Sequence, residues 1–268
     1  MDLQWAEKED KVKAILFAYQ GGMEGGGAMG DVLVGDVSPS GRLPDTFTRN
    51  LEDYYSTSTF HESQDYVDYT DDIYVGYRYF TTIPGEEDKI LYPFGYGLSY
   101  TSFSIKTKSY LVKDNTVFLS LDIQNTGDHK AKDVIEIYLK APDGLALQRP
   151  KRVLAAFAKT PLLNPGESCT TEISFPLRDT ASFDDKGVVK DRTWVLEKGK
   201  YSILITDDAK TFIEEDLEIT RDIVYETSPT EHSSPLLTER LRGDGSAERT
   251  TNGADNTLTQ ASLRQDEN

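Results

Sequence analysis

The side chains best equipped for acid/base chemistry gather in one stretch. His61, Glu62 and Asp65 are followed by the remaining carboxylates of "DYVDYTDD" (65–72). Hydrolysis by paired carboxylates needs one held protonated by burial and one ionised, facing each other across the scissile bond. This stretch is hydrophilic and nothing in it would raise a pKa, so it reads as a solvated, hydrogen-bonding loop. Tyr54, Tyr55, His61 and Asp65 are the candidates for a position near a substrate, because aromatic faces stack on sugar rings and His61 stands among acids. A second stretch, "GGMEGGG" (21–27), has the glycines of an anion-cradling turn. It lacks the Gly-Lys-Ser/Thr ending, and Glu24 would repel phosphate. The three histidines, His61, His129 and His232, form no Ser-His-Asp arrangement, and no Cys or His cluster has metal-ligand spacing. The sequence therefore implies neither cofactor nor metal. The single cysteine, Cys169, lies in the alternating run "ESCTTEISF" and reads as a buried or edge thiol.

A formal net charge of −17 argues against nucleic acid and anionic membranes as partners, since both require basic patches. The opening "MDLQWAEKEDKVKAILFAY" carries acids where a signal peptide carries a positive region, and its apolar run is too short for a membrane span. A soluble, cytoplasmic protein is expected.

Chemistry needs elements to hold it. The run Ala14 to Tyr19, bounded by Gly21 and Gly22, reads as a short buried strand. The glycines turn the chain into a short helix with Ala28, Met29, Val32 and Leu33 on one face, stopped by Gly35 at C′. "SPSG" (38–41) is a turn. A strand–turn–helix unit of this kind cannot fold alone, because its strand needs neighbours and its helix a sheet to cover. Residues 45–90 hold few periodic segments. "NLEDYYSTSTFHESQDYVDYTDD" reads as a long loop and "IYVGYRYF" (73–80) as a strand.

From residue 103 short alternating segments follow one another: "FSIKTKSYLV", "TVFLSLDIQNTG", "DVIEIYLKA", "KRVLAAFAKTPL", "ESCTTEISFPL", "TWVLEKG", "KYSILITD" and "TFIEEDLEI". Turn signals at 125–127, 142–144 and 164–166 separate them. This is the pattern of an immunoglobulin/fibronectin III-like antiparallel β-sandwich. The fold class is thus mainly β, with the terminal strand–helix unit of an α/β sandwich in front. The expected divisions are 1–102, 103–222 and a linker and tail over 223–268. Within that last division "SPLLTERLR" (234–242) suggests a short helix, and 243–268 have almost nothing to bury and are expected to be disordered.

Taken in order, "AILFAYQGGMEGGGAMGDVLVGDVSPSGRLPDTF", "IYVGYRYF" and "YPFGYGLSYTSF" (92–103) resemble glycoside hydrolase family 3, the β-glucosidase and β-xylosidase family. The segment after them resembles the fibronectin type III-like domain common there. The resemblance implies a TIM barrel carrying a nucleophilic Asp near a Ser-Asp-Trp, packed on an α/β sandwich whose acid/base Glu lies upstream of "AILFAY". Neither motif is in this sequence, and neither role passes to Asp36 or Glu24. What matches is the last unit of the α/β sandwich, its exit loop, a joint and the fibronectin-like domain. In the joint, Gly95 and Gly97 permit a bend while Phe94, Tyr96 and Tyr100 pack on both neighbours. The long loop and residues 234–242 suggest the sandwich-first domain order, with a barrel due shortly after residue 242. The sequence there turns hydrophilic instead, as a frameshift near residue 245 would make it, with Met1 an internal start.

The favoured reading is an accessory fragment of a β-glucosidase-like enzyme, inactive alone, whose partners are the missing barrel and upstream sandwich. The alternatives are a stand-alone module binding carbohydrate or protein, and a subunit completed by a separately encoded partner.

Overall fold

The computed structural model describes residues 3–60, 67, 69–227 and 239–249. In chain order its elements begin with helices α1 (Gln4–Glu7) and α2 (Gly25–Val34), strand β1 (Phe47–Thr48), helix α3 (Tyr77–Thr82) and strand β2 (Ile90–Tyr92). The strands that follow are β3 (Phe103–Lys113), β4 (Thr116–Asn125), β5 (Val134–Lys140), β6 (Arg152–Lys159) and β7 (Ser168–Pro176). After them come β8 (Ser182–Asp184), β9 (Thr193–Leu196), β10 (Gly199–Thr206), β11 (Ile213–Ile219) and β12 (Ile223–Thr227). A hairpin of β13 (Glu239–Leu241) and β14 (Ala247–Arg249) is the last pair.

The β-sandwich forms where the alternation placed it. A sheet ordered β3-β4-β7 faces one ordered β11-β10-β5-β6, and every pairing is antiparallel. Strand β4 alternates cleanly, turning Val117, Leu119, Leu121 and Ile123 inward. They meet Ile135, Ile137 and Leu139 of β5 and Ile203 and Ile205 of β10 in one apolar cluster. At about 25 cal/mol per Å² of buried apolar surface, such a cluster is what holds a domain of this size together. Cys169 pairs with Ile123 across β4 and β7 and is half-buried. Strand β5 breaks the alternation: Ile135 to Leu139 are all buried, because residues ahead of the sandwich cover its outer face.

Several expectations give way. "IYVGYRYF" is not a strand: Gly76 takes φ +59° and α3 begins after it. The helix buries Tyr79 and Phe80, which at helical spacing join Tyr74 and Ile83 on one side. "AILFAY" forms no strand, since no described segment pairs with it. Beyond residue 222, β12 pairs with β9 in a separate sheet ordered β12-β9-β8, and its Ile223 and Tyr225 pack on the sandwich core. Residues 239–242 are strand and turn rather than helix, and 243–249 are ordered in the same hairpin. The reason is packing: Leu241 is buried in the aromatic cluster of Tyr74, Tyr79 and Phe80, and its N–H donates to Thr70 O at 3.0 Å. Arg240 bridges Asp72 at 2.9 Å and also pairs with Asp185. The rest of the expected tail, 250–268, and residues 234–238 lie outside the described residues.

Candidate functional site

Two features of residues 1–102 could serve a function, a bare apolar edge and a polar joint. The edge comes from the unpaired segment 14–19 and helix α2. Helix α2 ends as expected, with Gly35 at φ +88° and its N–H on Val32 O at 3.2 Å, but it buries none of its residues. Leu33 and Val34 are 71% and 72% exposed, and Ile15 and Leu16 ahead of them 42% and 43%. Phe17 is edge-on to Phe47 at 5.5 Å. Exposed apolar side chains of this sort on an otherwise charged chain mark a contact face.

The joint is built on close approach. Gly95 has φ +82°, and a Cβ there would fall 2.1 Å from Glu136 Oε2. At Gly97 a Cβ would fall 2.4 Å from Gly41 O, so glycine is required by contact rather than by bending. The Gly95 N–H donates to Leu43 O and the Leu43 N–H to Tyr96 O, both at 2.8 Å. The aromatic residues of the joint do reach both neighbours. Phe94 packs on Tyr77 at 4.8 Å, and Tyr77 lies edge-on to Tyr138 of β5 at 5.8 Å. Tyr77 Oη accepts the Leu154 N–H of β6 at 2.8 Å. Tyr96 stacks on Tyr92 and carries Lys210 over its ring at 4.5 Å. Tyr100 donates its hydroxyl to Val32 O at 2.8 Å, tying α2 to the joint.

Charge is buried here as well. Arg42, from the "SGRLP" turn, donates to Gly97 O at 2.9 Å and to Asp133 Oδ1 at 2.7 Å. The Asp133 side chain is fully buried. Burial, then the neighbouring Asp207, push its carboxyl up to about 7 against the pull of Arg42. Burial likewise raises Glu136, although the Tyr138 hydroxyl donates to its Oε2 at 2.8 Å. Sequence reasoning passed over Arg42, Asp133 and Glu136. The one available signal was a pair of charged residues at the ends of "DVIE", inside a run otherwise fit for a core.

The remaining buried carboxylates are engaged by the main chain. Burial opposes charge on Asp184, but the N–H groups of Val188, Val189 and Lys190, at 2.6–2.9 Å, outweigh it and hold the carboxyl below the usual range. Glu197 accepts the N–H groups of Ala146 and Leu147 at 2.7 and 3.1 Å. These pairs brace loops, as hydrogen-bonded buried carboxylates do.

Of the four substrate-proximal candidates, Tyr54 and Tyr55 are half-buried against the aromatic cluster. Tyr54 is edge-on to Phe80 at 5.8 Å with its hydroxyl on Thr46 O at 2.8 Å, and Tyr55 lies 5.8 Å from Tyr79. His61 and Asp65 lie outside the described residues.

Residues 1–100 match the glycosyl hydrolase family 3 C-terminal domain, and residues 133–209 match the fibronectin type III-like domain. The chain is 42% identical to beta-glucosidase A of Butyrivibrio fibrisolvens, an alignment covering 92% of this chain and 32% of that protein. It is 41% identical to a beta-glucosidase of Ruminococcus albus, over 74% of this chain and 20% of the relative. The chain thus spans between a fifth and a third of the length of these relatives. Among solved structures, a beta-glucosidase from Paenibacillus barengoltzii superposes with a TM-score of 0.83 at 38% identity, covering 93% of this chain and 29% of that one. Beta-glucosidase 3B from Thermotoga neapolitana gives 0.70 at 36% identity, with 78% and 28% covered.

Proposed function

We propose, on the premise that this chain belongs to glycoside hydrolase family 3, that it is the accessory portion of a β-glucosidase-like enzyme cleaving terminal β-glycosidic bonds. Its partners are the barrel and the upstream part of the α/β sandwich. The observation that carries this reading is the bare edge of Ile15, Leu16, Leu33 and Val34. An extended apolar segment with no described pairing partner and a helix without a sheet are halves of an interface, and the missing halves are a sheet and the layer beneath it. The carboxylates buried in this chain hold loops and the joint together. In this reading the barrel and upstream sandwich supply the two carboxylates that do chemistry.

In the assembled enzyme the fibronectin-like sandwich is a rigid base, and the joint at Gly95 fixes the direction in which the edge is presented. In this reading Tyr54, Tyr55, His61 and Asp65 stand near the substrate entrance, and Tyr54 and Tyr55 pack on the aromatic cluster.

The test is complementation. The chain is mixed with a separately produced polypeptide carrying the barrel and upstream sandwich of a family 3 relative, and hydrolysis of an aryl β-glucoside is followed. The chain alone should be inactive and the mixture active, and Leu33→Asp should abolish association. Hydrolysis by the chain alone, or a mixture that neither associates nor gains activity, overturns the reading.

A further inference from the structure

Arg152 is a half-buried cation without a counter-charge. Register places it beside Lys140 on the outer face of the sheet β11-β10-β5-β6, where Tyr138, Leu204 and Glu214 form the next row. Its guanidinium lies over the Phe212 ring at 4.8 Å and the Tyr138 ring at 5.6 Å. Ring contacts engage the flat of a guanidinium and leave its N–H edge in need of acceptors. The Arg152 Nε is buried with no hydrogen-bond partner, and among the described residues Arg152 makes no ion pair. Glu136 and Glu87 lie in its field, but the Glu136 Oε2 takes the Tyr138 hydroxyl at 2.8 Å. Drawing a charge out of water is costly unless it is paired, and arginine cannot escape the cost by losing its proton. The position calls for an anion.

A cleft of about 190 Å³ opens at this point. The sandwich contributes Lys140, Lys151, Arg152 and Glu214 to it, with Leu204 and Phe212 as its apolar side. The family 3 C-terminal domain contributes Thr81 of α3 and Glu87 ahead of β2. Lys140 already bridges Glu214 at 3.3 Å, whereas Lys151 is exposed and makes no ion pair among the described residues. Three cations thus stand against two acids, which leaves one positive charge to be met. A phosphate dianion would exceed that charge and face Glu87 and Glu214. A single carboxylate fits the balance, and its two oxygens match the planar fork of an arginine. Glu87 and Glu214, as ionised acceptors, suit hydroxyl hydrogens. A molecule with one carboxylate and several hydroxyls satisfies both kinds of group.

We propose that this cleft binds a small sugar acid, with the carboxylate on Arg152 and Lys151 and the hydroxyls on Glu87 and Glu214. Because both domains line the cleft, the bound molecule bridges them. None of the residues of the bare edge takes part, so binding here needs no barrel.

Glucuronate is the probe. Titrated into the full chain at constant ionic strength and followed by proton–nitrogen NMR, it should shift the Arg152 Nε–H and Lys151 backbone N–H signals saturably. Glucose has the hydroxyls without the acid and acetate the acid without the hydroxyls, and each should bind at least about 10-fold more weakly. Inorganic phosphate should also bind more weakly than glucuronate. Arg152→Lys keeps the charge but loses the fork, and should weaken glucuronate binding about 10-fold. The exposed Lys151→Glu should weaken it as well, and it decides the matter if Arg152→Lys does not fold. Glucuronate that leaves both signals unmoved overturns the proposal. So does glucose, acetate or phosphate binding as tightly as glucuronate, or a Lys151→Glu chain that binds glucuronate as the native one does.

Discussion

Strand β4 and helix α2 have opposite fates. In β4, Val117, Leu119, Leu121 and Ile123 are 0–1% exposed, whereas in α2 Leu33 and Val34 keep more than two thirds of their surface in water. Both sequences carry apolar side chains at the period of their element. The difference lies in what each element finds opposite it: β4 meets β5 and β10 across the sandwich, while α2 buries none of its residues and takes the Tyr100 hydroxyl at Val32 O. An apolar stripe is a demand for a partner, and this chain answers that demand in one half only.

The contrast can be broken or sharpened by substitution. The largest effect is expected in the closed core. Ile137→Ala should destabilise the sandwich by about 2–5 kcal/mol, read as a lower urea midpoint, since its neighbours cannot collapse into the space. Gly95→Ala comes next, at about 1–3 kcal/mol, because it combines a left-handed φ with a clash against Glu136. Its effect should show in protection of the joint amides before that of β4. Tyr77→Phe removes the acceptor of the Leu154 N–H and should cost about 1 kcal/mol, with faster exchange at that amide. The smallest belongs to the open edge: Leu33→Ala should change the stability of the chain alone by less than about 0.5 kcal/mol. A large loss there would mean that α2 is packed in solution and the contrast is false.

How far each half could be read from sequence follows the same division. The sandwich was legible because strict alternation and turn residues are local signals, and the stop of α2 at Gly35 was legible for the same reason. Helix α3 was not, because tyrosines at 77 and 79 fit an alternating strand while Tyr79 and Phe80, with Ile83, fit a helix. The hairpin of β13 and β14 was missed since its hold on the molecule rests on Leu241 and on an ion pair from Arg240 to Asp72, 168 residues back. Arg42 and Asp133, 91 residues apart, pair through the tertiary fold alone. Of the substrate-proximal candidates, the sequence showed that Tyr54 and Tyr55 were aromatic but not that their rings would pack against Phe80 and Tyr79.

That strap from Arg240 to Asp72 also bears on the order of events at the ribosome. Tyr74, Tyr79 and Phe80 emerge early, yet the leucine that caps them is made only after every strand of the sandwich. Closing so long a loop before the intervening domain has condensed is entropically slow. The sandwich is therefore expected to condense before Leu241 returns to the aromatic residues, so Tyr74, Tyr79 and Phe80 settle late although they are made before it.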